Sequence, residues 1–201
     1  MDVGNSVRKA ILDWEQHEPD AAMLHACNAV DGTAKKLYAG LGNKARFTHL
    51  LRENYAILGP MGIPGIDLKA ESFSVNTKDP SLPGGRADAA DVIYGIHRCC
   101  HGHGDELPDG FQLFPDAAGP PQFTRIQFDQ KTVGFSDRLI FGLVAVAVMS
   151  PANVGQRVPD SFCLKFAGEE FPINEWWGRA TEFEAVLARI RNPIVTIKLA
   201  Y

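Results

Sequence analysis

One short stretch concentrates most of the groups able to do chemistry. Residues Tyr94-Gly95-Ile96-His97-Arg98-Cys99-Cys100-His101-Gly102-His103-Gly104-Asp105-Glu106 hold three of the six histidines and two of the four cysteines of the chain. An arginine and two carboxylates sit among them. Arg98 offers a permanently charged fork that matches phosphate oxygens. A histidine titrating near pH 6.5 gives or takes a proton under neutral conditions, at about that ordinary pKa. RNA cleavage by its own 2′-hydroxyl needs these parts: a base for the hydroxyl, an acid for the leaving 5′-oxygen, and positive charge for the crowded phosphate. Arg98 would hold the phosphorane oxygens. His103 lies five positions on, and the two side chains converge if the helix carrying Arg98 ends between them, at Gly102. One His103 supplies one proton shuttle. A second comes from His101, or from the other chain of a two-fold dimer. Tyr94 neighbours the pair. No metal or other cofactor is required.

Arg98, four intervening residues and His103 at the end of a helix resemble the catalytic motif of the HEPN superfamily. The resemblance covers the helical region, about residues 5 to 105. It implies a helical, commonly dimeric domain whose site forms where two protomers meet. It also implies a metal-independent endoribonuclease of a toxin–antitoxin or phage-defence system, with an antitoxin or defence-complex partner. Arg98 corresponds to the family's arginine and His103 to its histidine. The residue after the arginine is often polar in that family, whereas here it is Cys99. An acidic residue from a neighbouring helix could orient the arginine, with Asp31, Glu53 and Asp91 as the candidates. The C-terminal hairpin and the Asn174-Glu175-Trp176-Trp177-Gly178-Arg179 segment lie outside the family's core.

RNA also needs a surface to bind. Residues 32–52 carry Lys35, Lys36, Lys44, Arg46 and Arg52, with His49 among them and no Asp or Glu. That local excess suits a phosphate backbone. It equally suits a solvated helix face. The cluster itself has two rival explanations. Cys99, Cys100, His101 and His103 are potential zinc ligands, which would make a small metal-dependent hydrolase. Against this, adjacent cysteines on a helix point about 100° apart, and neither a CxxC pair nor an HExxH motif is present. Alternatively, Cys99, Cys100 and His97 belong to the core and Arg98 pairs with Asp91 or Asp105. The same helical fold without catalysis would be a protein-interaction module. No GxSxG, dinucleotide-binding or Walker pattern occurs.

The elements that must position these residues read as follows. Helices are expected at Val7–His17, from Pro19 to about Leu37, from Asn43 to Leu58 and from near Ala87 to a stop at Gly102 and Gly104. The second carries an apolar stripe of Met23, Cys27, Val30, Ala34 and Leu37. Residues 59–65, rich in Gly and Pro, read as a turn. Short strands are expected at 71–76, 111–114 and 124–129. Ser136 is a cap for a buried helix through Met149, with a strand as the rival because of its valines. A hairpin turns at Gly168, a helix follows Asn174, and Ile194–Leu199 is a final strand. The fold class is α+β: a mainly helical, HEPN-like bundle (1–105) with an α+β extension (106–201) that adds a small, mostly antiparallel sheet, the whole forming one compact unit.

Composition sets the outer limits. The chain has 201 residues, 45% hydrophobic and 22% charged, with net charge −4. Twelve Phe and three Trp can build a core, which excludes disorder, and the net charge excludes a generally basic coat. Met1–Asp13 is polar and unlike a signal peptide. The apolar run Leu139–Met149 is shorter than the roughly 20 residues a membrane span needs. The expectation is a cytoplasmic protein with reduced thiols and no membrane partner.

Overall fold

The computed structural model describes residues 2–70, 72, 81–82, 85–103, 111–116, 126–128 and 133–190; for residues 98–103 and 128 the description covers the backbone alone. The strands expected at 71–76 and Ile194–Leu199 lie almost wholly outside the described residues.

The architecture is α+β and mainly helical. Helix α1 (Val3–Glu15) lies against α2 (Pro19–Leu37). Asp2 caps α1 by accepting a hydrogen bond from the Asn5 amide. Pro19 opens α2, where its missing N–H costs nothing. Helices α3 (Asn43–Glu53) and α4 (Tyr55–Gly62) follow, and then α5 (Ala89–His103). Of the expected α2 stripe, Met23, Cys27, Val30 and Ala34 are buried, whereas Leu37 is 40% exposed at the helix end.

Two small sheets come next. Strands β1 (Phe111–Phe114), β2 (Gln127–Phe128) and β3 (Val133–Ser136) form one in the order β1-β3-β2. β1 runs parallel to β3 with Phe111 opposite Val133, and β2 runs antiparallel to it. The second is the hairpin of β4 (Cys163–Phe166) and β5 (Glu169–Pro172), which turns through Ala167 and Gly168 at positive φ.

Helix α6 (Arg138–Met149) is the centre of the core and touches α1, α2, α4, β3 and the C-terminal helices. Leu139, Ile140, Leu143, Val144, Val146, Val148 and Met149 are fully buried. Each contributes roughly 1.5–3 kcal/mol of hydrophobic stabilisation. Its valines do not make it a strand, because a helix with ten of its twelve residues buried gains more from packing than helix propensity costs. Ser136 Oγ accepts from the Arg138 amide at the entry, and Pro151 stops the helix at the exit.

Asn54 divides the helix expected from Asn43 to Leu58 into α3 and α4, and three further expectations need correction. Residues Gly59 to Gly62 are not a turn; they complete α4, with Pro60 inside the helix. The lost backbone bond at Pro60 is outweighed by tight packing on α6. A Cβ at Gly142 would stand 2.8 Å from Gly62 Cα, so only glycines let the two backbones approach this closely. Arg138 Nε also donates to the Met61 carbonyl at the open end of α4. Second, the helix after Asn174 is two helices, α7 (Ile173–Trp176) and α8 (Ala180–Arg189). Gly178 breaks them at φ +83, with its amide donating to the Val148 carbonyl. Third, Gly102 does not break α5 between Arg98 and His103, because the helix continues through His103.

Gly142→Ala is expected to lower stability by roughly 1–3 kcal/mol, since neither facing backbone can give way. Gly95→Ala in α5 meets open space. It should raise stability by up to about 1 kcal/mol through helix propensity. Urea unfolding of the two variants checks both signs; equal effects would contradict the α4–α6 contact.

Candidate functional site

The site is a groove between α3 and α5. The two helices run antiparallel, and ionic contacts fix their register. Lys44, Thr48 and Arg52 recur every four residues on one face of α3. The start of α5 presents Asp88 and Asp91 to that face. Arg52 Nε donates to Asp88 Oδ2 at 2.7 Å and one terminal nitrogen donates to Asp88 Oδ1 at 3.0 Å. The same nitrogen lies 3.2 Å from Asp91 Oδ1, and another donates to Thr48 Oγ1 at 3.1 Å. Lys44 Nζ stands 3.8 Å from Asp91 Oδ1. Ser81 donates both its amide and its hydroxyl to the Asp91 carboxylate.

The carboxylates also cap α5. Asp88 accepts from the Asp91 amide at 2.9 Å, and the Tyr55 hydroxyl accepts from the Ala90 amide at 3.1 Å. Burial pushes the Asp88 carboxyl up, but the Arg52 and Asp91 hydrogen bonds outweigh it and hold the carboxyl below its ordinary value. Burial pulls the Arg52 guanidinium down, yet Asp88 and Asp91 leave it above its own. Burial, and then the Asp88 charge, raises the Tyr55 phenol.

Beyond this network the groove opens to about 760 Å³, lined by the start of α3 (Gly42–Ala45), Thr48, His49, Arg52, Ser81 and Tyr94 with Leu41. His49 forms a second cluster at its rim. Its Nε2 lies 3.3 Å from Glu53 Oε1, and the Tyr38 hydroxyl donates to Glu53 Oε2. The Tyr38 and His49 rings meet edge to face at 4.8 Å. Burial first, then the hydrogen bond to Glu53 and its charge, pushes the Tyr38 phenol up to about 12.

The sequence candidates divide as follows. Tyr94 lines the groove and packs on Phe47, whereas His97 is buried and stacked on the Phe47 ring at 5.0 Å. Arg98, His101 and His103 all lie on α5, and their side chains lie outside the described residues. Because α5 does not break at Gly102, positions 98 and 103 are about 140° apart around its axis, whereas positions 98 and 101 are about 60° apart and 94 and 98 about 40°. The backbone therefore aligns 94, 98 and 101 on one face and sets 103 on another.

The basic run is less basic in space than in sequence. Arg46 pairs with Asp31 at 3.0 Å, and Arg52 and Lys44 face Asp88 and Asp91. Lys36 Nζ donates to Asn153 Oδ1 at 2.8 Å. Lys35 is exposed and in no ion pair among the described residues. Asp31, Glu53 and Asp91 thus each serve another group. Asp88, Ser81, Tyr38 and the role of Glu53 are not apparent from motif spacing. Two signals do exist: Asp88 three residues before Asp91 is a cap pattern, and His49 and Glu53 are a helical i,i+4 pair.

A model of the Rv1289 family matches residues 2–200. The chain belongs to the Rv1289 family. Protein Rv1289 of Mycobacterium tuberculosis (strain ATCC 25618 / H37Rv) is 39% identical over 197 residues, which cover 98% of this chain and 93% of that protein. Protein Mb1320 of Mycobacterium bovis matches to the same extent. No solved structure matches the chain. The likeness to HEPN domains thus rests on the Arg98–His103 spacing and finds no support in the family match. Among the described residues no helix is long and apolar enough to cross a membrane.

The Asp88 contribution to stability is whole above the ordinary carboxylate value of 3.8 and is lost as pH falls through the lowered folded value. Asp88→Asn keeps a cap acceptor but should flatten this acid limb. Asp88→Ala should cost about 2–3 kcal/mol at neutral pH, from the cap and the fork together. Denaturation midpoints between pH 2 and pH 7 measure both; an unchanged acid limb in Asp88→Asn would contradict the assignment.

Proposed function

We propose that this chain binds single-stranded RNA in the α3/α5 groove and cleaves it without a metal. One observation carries this reading: the face of α5 that opens into the groove at Tyr94 continues through positions 98 and 101. The start of α3 supplies positive potential at the groove's edge. Arg98 would stabilise the pentacovalent phosphate. His101, whose position shares that face, takes the proton-transfer role in preference to His103, whose position the helix sets on another face. A homodimer would bring a second set of these groups. The setting consistent with such chemistry is a toxin–antitoxin or phage-defence system.

A second reading is a protein-interaction module without catalysis. The pairing of Arg46 with Asp31 and of Arg52 with Asp88 favours it, because neutralised side chains bind a phosphate backbone weakly.

Labelled single-stranded RNA incubated with the protein in EDTA separates the two. Cleavage should persist in EDTA, fall at least about a hundredfold in Arg98→Ala and His101→Ala, and change little in His103→Ala. Equal RNA loss with parent and Arg98→Ala preparations would remove the nuclease. Intact RNA with every preparation would leave the interaction module.

A further inference from the structure

A second cavity lies between α4, residues 65–69 and α8. It measures about 730 Å³, within the roughly 300–1,000 Å³ usual for small-molecule sites. Its walls are mainly apolar, Leu68 and Leu187 among them. The RNA-cleaving chemistry proposed for the groove does not use it.

The polar groups that line it are mostly acceptors. Pro60 has no N–H, so the helical bond it would give to the Ala56 carbonyl, four residues back, is missing. Ala56 and Pro60 both line the cavity. Asp67 lies on a second wall, where its Oδ1 accepts from the Lys69 amide at 3.0 Å. Glu184 on α8 is half-buried and in no ion pair among the described residues. Among the described lining residues Lys69, which is exposed, is the one cation. Two carboxylates and a helix carbonyl thus stand against one ammonium. An apolar cavity with that lining complements an apolar body carrying a positively charged donor. A carboxylate on the ligand would instead meet two like charges.

We propose that this cavity binds a small amphipathic amine. Glu184, Asp67 and the Ala56 carbonyl hold its ammonium, and its hydrocarbon lies against Leu68 and Leu187. A primary ammonium has three N–H donors, which matches these three acceptors. The site is separate from the α3/α5 groove and does not rest on the RNA-cleaving reading.

Calorimetric titration of octylammonium into the full chain at pH 7 tests this, with octanol and octanoate as probes of the same length. Octylammonium should bind at least about tenfold more tightly than octanol, and octanoate more weakly than either. Glu184→Gln and Asp67→Asn should each weaken octylammonium about three- to tenfold and leave octanol within about twofold. Pro60→Ala returns an N–H to the Ala56 carbonyl. It should weaken octylammonium, leave octanol unchanged and keep or raise the melting temperature. Ala188 is an exposed position on the α8 wall, so Ala188→Trp should abolish binding with a melting curve near the parent's. Octanoate bound as tightly as octylammonium would overturn the proposal, as would an octylammonium affinity unchanged in both carboxylate variants. Binding that survives Ala188→Trp places the amine elsewhere and overturns it too. No binding of any probe also overturns it, and is the result expected if a second copy of the chain fills the cavity.

Discussion

The guanidinium of Arg52 is divided between Asp88 and Asp91, and this sets where α5 lies on α3. Asp91 has a side chain only 1% exposed, and Ser81, Arg52 and Lys44 surround its carboxylate. A buried carboxylate without those partners would cost several kcal/mol. The same carboxylates cap α5. The start of that helix, its register against α3 and the floor of the groove therefore follow from one set of contacts. Phe47 continues the interface by stacking on His97 and touching Tyr94.

The rest of the molecule keeps that interface rigid. Tyr55 opens α4 and reaches the Ala90 amide at the α5 start. The other end of α4 is pressed on α6 through Gly62 and Gly142, and Arg138 holds its Met61 carbonyl. A path of buried contacts thus joins the central helix to the groove floor. Core and site are coupled by packing, which makes the groove walls fixed positions on helices rather than loop side chains.

Much of the fold was readable from periodicity. The α2 stripe, the start of α5, the Gly168 hairpin and the capped entry to α6 rest on local signals, and local signals were enough. At Pro60 and Gly178 tertiary contact decides. Pro60 and its glycines look like a turn until α6 is seen to require them. Gly102 looks like a helix end, yet one glycine costs only about 1 kcal/mol inside a helix. The site shows the same division. Tyr94 was visible beside the Arg98 cluster, whereas the pairing of Arg46 with Asp31 and Arg52 with Asp88 joins residues 15 and 36 apart in sequence. A basic run with no acidic residues in it says nothing of acids brought in by another helix.

The central claim is that RNA lies along the α3/α5 groove. Photocrosslinking of 4-thiouridine-substituted RNA to the full chain, followed by peptide mass spectrometry, tests it most directly. The account predicts crosslinks at Tyr94 and on the segment from Lys44 to His49, lost when unlabelled RNA competes. Crosslinks confined to residues that do not line the groove, such as Trp176 to Arg179, would contradict it.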